Sequence, residues 1–217
     1  MSYLKDIKIV LVDDHKLLRD GLRNIIEQRS NMHIIGEASD GREAIKICPK
    51  LLPNVVVMDV AMPGLNGIEA TRQIHKNNPE IKIIGLSMHS SKQFIQSMFK
   101  AGAFAYLLKD GDSDELITAI CTVMQNKKYL SNDINQEFLL VLKEPKGIEK
   151  TQLSSREKEV LQLIAEGRSS KEIGEILFLS PKTVDVHRNN IMKKLDLFTI
   201  PELTKYAIQE GLTSLGI

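Results

Sequence analysis

The stretch Val55-Val56-Val57-Met58-Asp59-Val60-Ala61-Met62-Pro63-Gly64-Leu65-Asn66-Gly67 decides the fold of this 217-residue chain. Four apolar residues, three of them β-branched, predict a strand buried on both faces, as in a parallel sheet. The run ends on an acid, and Met62-Pro63-Gly64 followed by Asn66-Gly67 turns the chain into a loop. Asp59 is therefore expected at the carboxyl edge of a central strand, where open α/β sheets bind their ligands. Taken alone, an acid at a strand end merely starts a loop. The residues at the neighbouring strand ends change that reading.

Upstream, Ile7–Val12 reads as a buried strand ending in Asp13-Asp14, followed by a helix with Leu17, Leu18, Leu22, Ile25 and Ile26 on one face. His33-Ile34-Ile35 forms a second strand, and Ala44, Ile45, Cys48 and Leu51 mark the inner face of a second helix. Downstream of Asp59, a third helix runs from about Gly67 to Asn77, and Ile81–Ser87 is a fourth strand. Phe94, Ile95, Met98 and Phe99 mark a fourth helix, and Ala105–Lys109 is the fifth strand. Leu116, Ile117, Ile120, Val123 and Met124 complete a fifth helix, with Ser113 as its N-cap. Alternating strands and helices of this kind imply a doubly wound five-stranded parallel sheet of order 2-1-3-4-5.

Composition narrows the setting. Hydrophobic residues at 42% and charged residues at 26% are ordinary values for a soluble chain. The net charge of +1 neither points to nucleic acid nor excludes it, so any basic patch must be local. Cys48 and Cys121 lie far apart with no metal-ligand spacing, as expected in a reducing cytosol. The start, Met1-Ser2-Tyr3-Leu4-Lys5-Asp6, has no apolar signal region, and no later run is long enough to span a membrane. A cytoplasmic location without a membrane partner is expected.

Strand ends place the chemistry. Asp13-Asp14, Asp59, Ser87 and Lys109 fall at the carboxyl ends of the first, third, fourth and fifth strands. In the order 2-1-3-4-5 the first and third strands flank the switch point, so three carboxylates converge. Unpaired they repel, and a cation is expected among them. Mg²⁺ fits, because it accepts a few carboxylates, keeps waters and completes its octahedron with phosphoryl oxygens. With a lysine and a hydroxyl beside a carboxylate nucleophile, this is the composition of a phosphoryl-transfer site.

On these residues, with Tyr106 three before Lys109 and Met62-Pro63-Gly64 after the acceptor, residues 5–127 resemble the CheY-like receiver domain of two-component response regulators. The resemblance implies that Asp59 takes a phosphoryl group from a sensor histidine kinase. It also implies that Asp14, Asp59 and the Ala61 carbonyl bind Mg²⁺ directly, with Asp13 acting through water. Ser87 would move onto the new phosphoryl oxygen and Tyr106 would swing inward behind it. Asp110 stands where many receivers carry proline.

Residues 1–127 are thus expected to form the receiver and residues 128–150 a linker, marked by Lys127-Lys128, Asn132-Asp133 and Glu144-Pro145-Lys146-Gly147. Within it, Phe138, Leu139, Val141 and Leu142 suit one short helix. Residues 151–217 form a second domain with clear helix starts. Ser154/Glu157, Ser169/Glu172 and Thr199/Glu202 are capping boxes, and Ser180-Pro181 is a fourth start. Gly167 and Gly211 close the first and last helices. Helices near 155–166, 170–177, 181–195 and 200–210 follow, the middle two joined by the short turn of a helix-turn-helix.

On the third of these helices Val184, Ile191 and Leu195 form the apolar stripe, at about 100° per residue. Lys182, Val186, Asn189 and Lys193 lie opposite, flanked by Asp185 and Asn190, with His187 and Arg188 at the border. Residues 181–195 carry four Lys/Arg against one acid, whereas residues 151–217 carry nine of each. Positive charge is concentrated on the helix that such a motif places in the major groove.

Leu153–Glu157, Ser170-Lys171-Glu172-Ile173 and Ser180-Pro181-Lys182-Thr183-Val184-Asp185-Val186-His187 resemble the LuxR-type helix-turn-helix. Together the halves resemble a NarL/FixJ-subfamily response regulator. That implies DNA binding through Lys182, Thr183, Asp185, Val186, His187, Arg188, Asn189 and Lys193. It also implies that the last helix, with Leu203, Tyr206, Ala207 and Ile208, pairs in a homodimer on inverted-repeat double-stranded DNA. An aspartate-nucleophile phosphatase is the enzymatic rival, but Ala61 stands where its second acid belongs and there is no room for a substrate cap. A ligand-sensing LuxR-type regulator lacks a use for the acid-serine-lysine set. A receiver whose output is protein binding differs only in whether the second domain binds DNA.

Overall fold

The computed structural model describes residues 6–90, 92–134 and 153–213. Within them the chain forms two compact units. The first comprises β1 (Ile7–Val12), α1 (Lys16–Glu27), β2 (Met32–Ala38), α2 (Gly41–Leu51), β3 (Val55–Asp59), α3 (Gly67–Asn77), β4 (Lys82–Ser87), α4 (Lys92–Ala101), β5 (Ala105–Leu108), α5 (Ser113–Met124) and β6 (Tyr129–Leu130). All neighbouring strands run parallel, in the order β2-β1-β3-β4-β5-β6.

Every residue of β3 is buried, as a central strand of a parallel sheet requires. Alternate residues serve the two faces. Ile9, Leu11, Val57, Ile84 and Leu107 join Leu22 and Ile26 of α1 and Leu116, Ile120 and Val123 of α5 in one core. Val10, Val56, Met58 and Ile83, equally buried, point the other way. Register then sets the functional edge. Val12 lies beside Met58, Asp59 beside Leu86 and Ser87 beside Leu108. Asp13 and Asp59 thus leave adjacent strands side by side, with Ser87 and Lys109 next along the edge.

Several local expectations change. Leu17 is 87% exposed and not part of the core stripe. A step of about 100° from Leu18 puts it beside the stripe, in the first turn of α1. The N-cap of α5 is Asp112, whose carboxylate accepts from the Asp114 amide at 3.1 Å, and Ser113 is the first helical residue. The negative charge of Asp112 also suits the positive end of the helix dipole.

The largest difference lies past α5. The sheet has six strands and not five, because Tyr129–Leu130 pairs with β5 and the Ser131 amide donates to the Tyr106 carbonyl at 2.9 Å. Leu130, Ser131 and Ile134 are buried, so the first residues assigned to a linker belong to the sheet. A two-residue strand after Lys127-Lys128 leaves no periodicity for a sequence reading to detect. Glu115 of α5 fastens it. Its buried carboxylate accepts from Tyr129 Oη at 3.2 Å, Ser131 Oγ at 2.8 Å and the Asn132 amide at 2.7 Å. The short helix expected around Phe138, Leu139, Val141 and Leu142 lies outside the described residues.

The second unit contains α6 (Ser155–Ala165), α7 (Ser170–Leu177), α8 (Pro181–Leu195) and α9 (Ile200–Gln209). All three capping boxes form with both hydrogen bonds, and Ser180 caps α8 with Pro181 in its first turn. Each cap is worth about 1 kcal/mol, which matters because α7 has only 8 residues and helices this short are marginal alone. Gly167 and Gly211 adopt positive φ after α6 and α9. Phe178 and Asp196 do the same after α7 and α8, where no glycine signals a stop. Leu161, Ile173, Val184, Ile191, Leu203 and Ala207 form the core of this unit.

Glu115→Ala leaves three donors of the β6 segment without their acceptor, a loss of about 1–3 kcal/mol. Hydrogen exchange at the amides of residues 129–134 should quicken in this variant, and less so in Glu115→Gln. Unchanged exchange in Glu115→Ala would show that β6 is held by its ladder alone.

Candidate functional site

The carboxyl edge of the first unit gathers Asp13, Asp14, Asp59, Ser87, Tyr106 and Lys109, the six residues expected there. Asp59 and Asp13 are each about as buried as the core, at 2% and 1% exposed. Two such carboxylates are tolerable only with a counter-charge. Lys109 supplies it: Nζ lies 2.7 Å from Asp13 Oδ2 and 2.8 Å from Asp59 Oδ2. The remaining oxygens face backbone donors. Asp13 Oδ1 accepts from the His15 amide at 2.7 Å, and Asp59 Oδ1 from the Ala61 amide at 3.2 Å.

Burial pushes the Asp59 carboxyl up to about 7; the Lys109 ammonium pulls against that, and the Asp13 charge adds to it. Burial also works against the Lys109 charge, but Asp59 and Asp13 outweigh it and hold its pKa above the ordinary value. The loop after β3 is built tightly against the acceptor. A Cβ on Gly67 would stand 1.9 Å from the Asp59 carbonyl oxygen, so only glycine fits the close approach.

His15, absent from the sequence-based set, joins the cluster: Nδ1 lies 3.1 Å from Asp14 Oδ1 and 3.3 Å from Asp13 Oδ1. Its signal was adjacency to the Asp13-Asp14 pair. Candidate ligand atoms of Asp13, Asp14, His15 and Asp59 lie within 4.8 Å of one another, and the carboxylate donors are hard oxygens suited to a small divalent cation.

Ser87 and Tyr106 are fully buried behind Asp59. Ser87 Oγ accepts from the His89 amide at 3.1 Å, and Tyr106 Oη donates to the His89 carbonyl at 2.6 Å. The His89 ring stacks on Phe94 at a centroid distance of 4.9 Å. Tyr106 therefore occupies the inward position here, and its burial raises the phenol pKa. Both residues hold the same loop, the one that follows β4.

On α8, Val184 and Ile191 are buried, while Lys182, Val186, Asn189 and Lys193 are exposed on the opposite face. Thr183, His187 and Arg188 are half-buried. Thr183 Oγ1 lies 2.8 Å from the capping Ser180 Oγ. Asp185 accepts from Ser170 Oγ at 2.8 Å and pairs with Arg188 at 3.2 Å, which ties α8 to the start of α7. Two further anchors were not expected. Lys194 reaches Glu157 at 2.7 Å, and Arg156 donates to the Leu177 carbonyl at 2.6 Å. Residues of α6 thus hold the end of α7, at the turn, and the end of α8.

The four residues expected at a dimer contact divide. Leu203 and Ala207 are fully buried in the core of their own unit, and Tyr206 packs on that core. Only Ile208 belongs to the outer stripe, with Ile200, Pro201, Thr204, Lys205 and Gln209, which line a shallow groove. Spacing of i, i+4, i+8 from Ile200 marks the outer face, and of the four expected residues Ile208 alone lies on it.

The sequence profile of the response regulator receiver domain matches residues 9–121, and that of the LuxR family of bacterial regulatory proteins matches residues 151–207. The response regulator UvrY of Escherichia coli (strain K12) is 39% identical over 208 residues, which cover 95% of each chain. The transcriptional regulatory protein LiaR of Bacillus subtilis (strain 168) is 37% identical over 210 residues, 96% of this chain and 100% of that one. A solved structure of two RcsB dimers bound to two parallel DNAs superposes with a TM-score of 0.57 at 27% identity, over 94% of this chain and 99% of that one.

Removing one acid from this pocket should stabilise the metal-free protein at neutral pH. The folded pKa of Asp59 lies above its ordinary 3.8, so between the two values the folded chain holds the extra proton and stability falls as pH rises. That loss is complete above about 7. Asp59→Asn escapes it, and thermal unfolding at pH 7.5 without divalent cations should show a gain of roughly 1–3 kcal/mol that shrinks toward pH 5. A lower midpoint in the variant, or a gain independent of pH, contradicts this.

Proposed function

The chain belongs to the NarL/FixJ-type response regulators, which join a receiver to a LuxR-type DNA-binding domain, and from that premise we propose that Asp59 is its phosphoryl acceptor. The donor is a phosphohistidine of a sensor histidine kinase. An Asp59 oxygen attacks phosphorus, the phosphorus–nitrogen bond breaks, and the histidine nitrogen leaves with its electron pair. One observation carries the reading: a single ammonium, Lys109, bridges Asp13 and Asp59 at adjacent strand ends beside a buried hydroxyl, Ser87.

Mg²⁺ is the cation we assign to the pocket, held by Asp14, Asp59 and the Ala61 carbonyl, with Asp13 acting through water. When bound, it supplies positive charge to the phosphoryl oxygens as they approach a carboxylate. The chain's own residues do the rest. Lys109 offsets the charge of the acceptor before transfer and is free to contact the phosphoryl group after it. Ser87 offers a hydroxyl to the same group, and Tyr106 fixes the loop on which that movement depends.

Output runs through α8. Val186 and Asn189 reach base edges, Lys182 and Lys193 position the helix on phosphates, and Arg188, His187 and Thr183 flank them. Asp185 restrains Arg188 and does not read a base. A net local charge near +3 on α8, from four basic residues and one acid, makes few phosphate contacts, so a single domain binds weakly and loses affinity with salt. Phosphorylation therefore acts by favouring a homodimer on inverted-repeat double-stranded DNA, with half-sites about one helical turn apart. Ile208 and the outer face of α9 replace Leu203 and Ala207 as the surface for that pairing. No helix among the described residues is long and apolar enough to cross a membrane, which fits a cytoplasmic regulator.

Intact-mass measurement with acetyl phosphate and Mg²⁺ is expected to show one added phosphoryl group on the wild type and none on Asp59→Asn. Persistent labelling of the variant sinks the assignment.

A footprint on one promoter separates the roles on α8. Asn189→Ala should relax preference at one base pair, at a cost of about 1–3 kcal/mol for the preferred site. Lys193→Ala should weaken all sequences alike and lower the salt slope by about one. Uniform loss in both variants means that reading and positioning are not divided as stated.

A further inference from the structure

Arg19 is the first basic residue of α1 after Lys16, and its side chain is only 12% exposed. Its Nε donates to Glu37 Oε2 of β2 at 2.9 Å, and its Nη1 donates to the backbone carbonyl of Asp13 at 2.5 Å. Asp13 lies where β1 becomes the loop that carries Asp13, Asp14 and His15. The amide of the same residue donates to the Ala38 carbonyl of β2 at 3.2 Å. Leu11 pairs with Glu37 and Val12 with Ala38 in the sheet. The Asp13 backbone is therefore gripped on both sides from β2, directly through Ala38 and through Arg19 on Glu37.

We propose that Arg19 is a positioning residue for the divalent-cation site: anchored on Glu37, it holds the Asp13 carbonyl and so fixes the loop whose carboxylates take the cation. The inference rests on the cation-site reading given above. The contact to the Asp13 carbonyl tethers the loop itself, which the ion pair with Glu37 alone does not need. The first turn of α1 also has no side-chain cap, since His15 makes no capping hydrogen bond. Arg19 is thus a side-chain brace on the loop from the helix side. Partners that orient metal ligands from behind typically account for 10–100-fold in metal affinity.

The molecule supplies its own control. Arg23 grips the same Glu37 through Nε at 3.1 Å and Nη2 at 2.5 Å, and Glu27 through Nη1 at 2.9 Å. Its described hydrogen bonds go to those two acids and not to Asp13. Loss of Arg23 loosens Glu37 as loss of Arg19 does, but leaves the Asp13 carbonyl in hand. A role in stability treats the two arginines alike; a role in positioning the pocket separates them.

The test measures Mn²⁺ binding to the full chain by electron paramagnetic resonance of the free ion, with Mg²⁺ as competitor, no phosphodonor present, and thermal midpoints recorded alongside. Arg19→Ala should weaken both ions by about tenfold or more. Arg19→Lys should recover part of the loss, since one ammonium cannot span both acceptors as the guanidinium does. Arg23→Ala should stay within about twofold of wild type even where its midpoint falls as far. Equal affinity in Arg19→Ala, or an equal loss in Arg23→Ala, overturns the proposal while leaving the cation site standing. Failure of the wild type itself to bind either ion overturns both. If Arg19→Ala does not fold, Arg19→Lys and Glu37→Gln decide: a loss of affinity in both supports the role, and wild-type affinity in both ends it.

Discussion

The ammonium of Lys109, held 2.7 Å from Asp13 and 2.8 Å from Asp59, is the contact on which the receiver edge depends. A parallel sheet brings the ends of β1 and β3 together whatever they carry, and here both carry acids. Burial makes their charge expensive, and the raised pKa of Asp59 expresses that cost. One lysine at the end of β5 offsets two carboxylates at once. On the proposed reading the pocket is poised: a phosphoryl group on Asp59 would change the charge around Lys109, and the ammonium, Ser87 and the loop held by Tyr106 would answer together.

That loop links the site to the rest of the receiver. Tyr106 holds it through the His89 carbonyl, and the carbonyl of Tyr106 in turn accepts from Ser131 just past β6. Glu115 binds the same Ser131 from α5. A change at Asp59 thus has a short covalent and hydrogen-bonded path to β6 at the edge of the sheet. In the second unit, Lys194 and Asp185 fix the recognition helix against α6 and α7, and Arg156 ties α6 to the end of α7, so α8 is presented as a rigid surface.

Much of this was legible in the sequence because the signals were local or strongly periodic. Val55–Asp59 named its own strand, the Pro-Gly break located Asp59, and the capping boxes at Ser154, Ser169 and Thr199 set helix starts that the structure reproduces. What escaped depends on contacts distant in sequence. Glu115 gives no hint that it will secure a two-residue strand, and Asp185 reads as a surface acid until Ser170 reaches it. Leu203 and Ala207 of the last helix carry no sign in the sequence that α6 packs against α9 and covers them. Arg19 is one charged helix residue among several until the register of β2 sets Glu37 beside it.

On the proposed reading, Lys109 senses the state of Asp59 and passes it on. Wild type and Lys109→Ala, labelled by acetyl phosphate to the same fraction, are compared for affinity to one promoter fragment by fluorescence anisotropy. Labelled wild type should bind more tightly than unlabelled, whereas Lys109→Ala should carry the phosphoryl group and gain no affinity. An equal gain in the labelled variant would mean that the signal leaves Asp59 by a route that does not pass through Lys109.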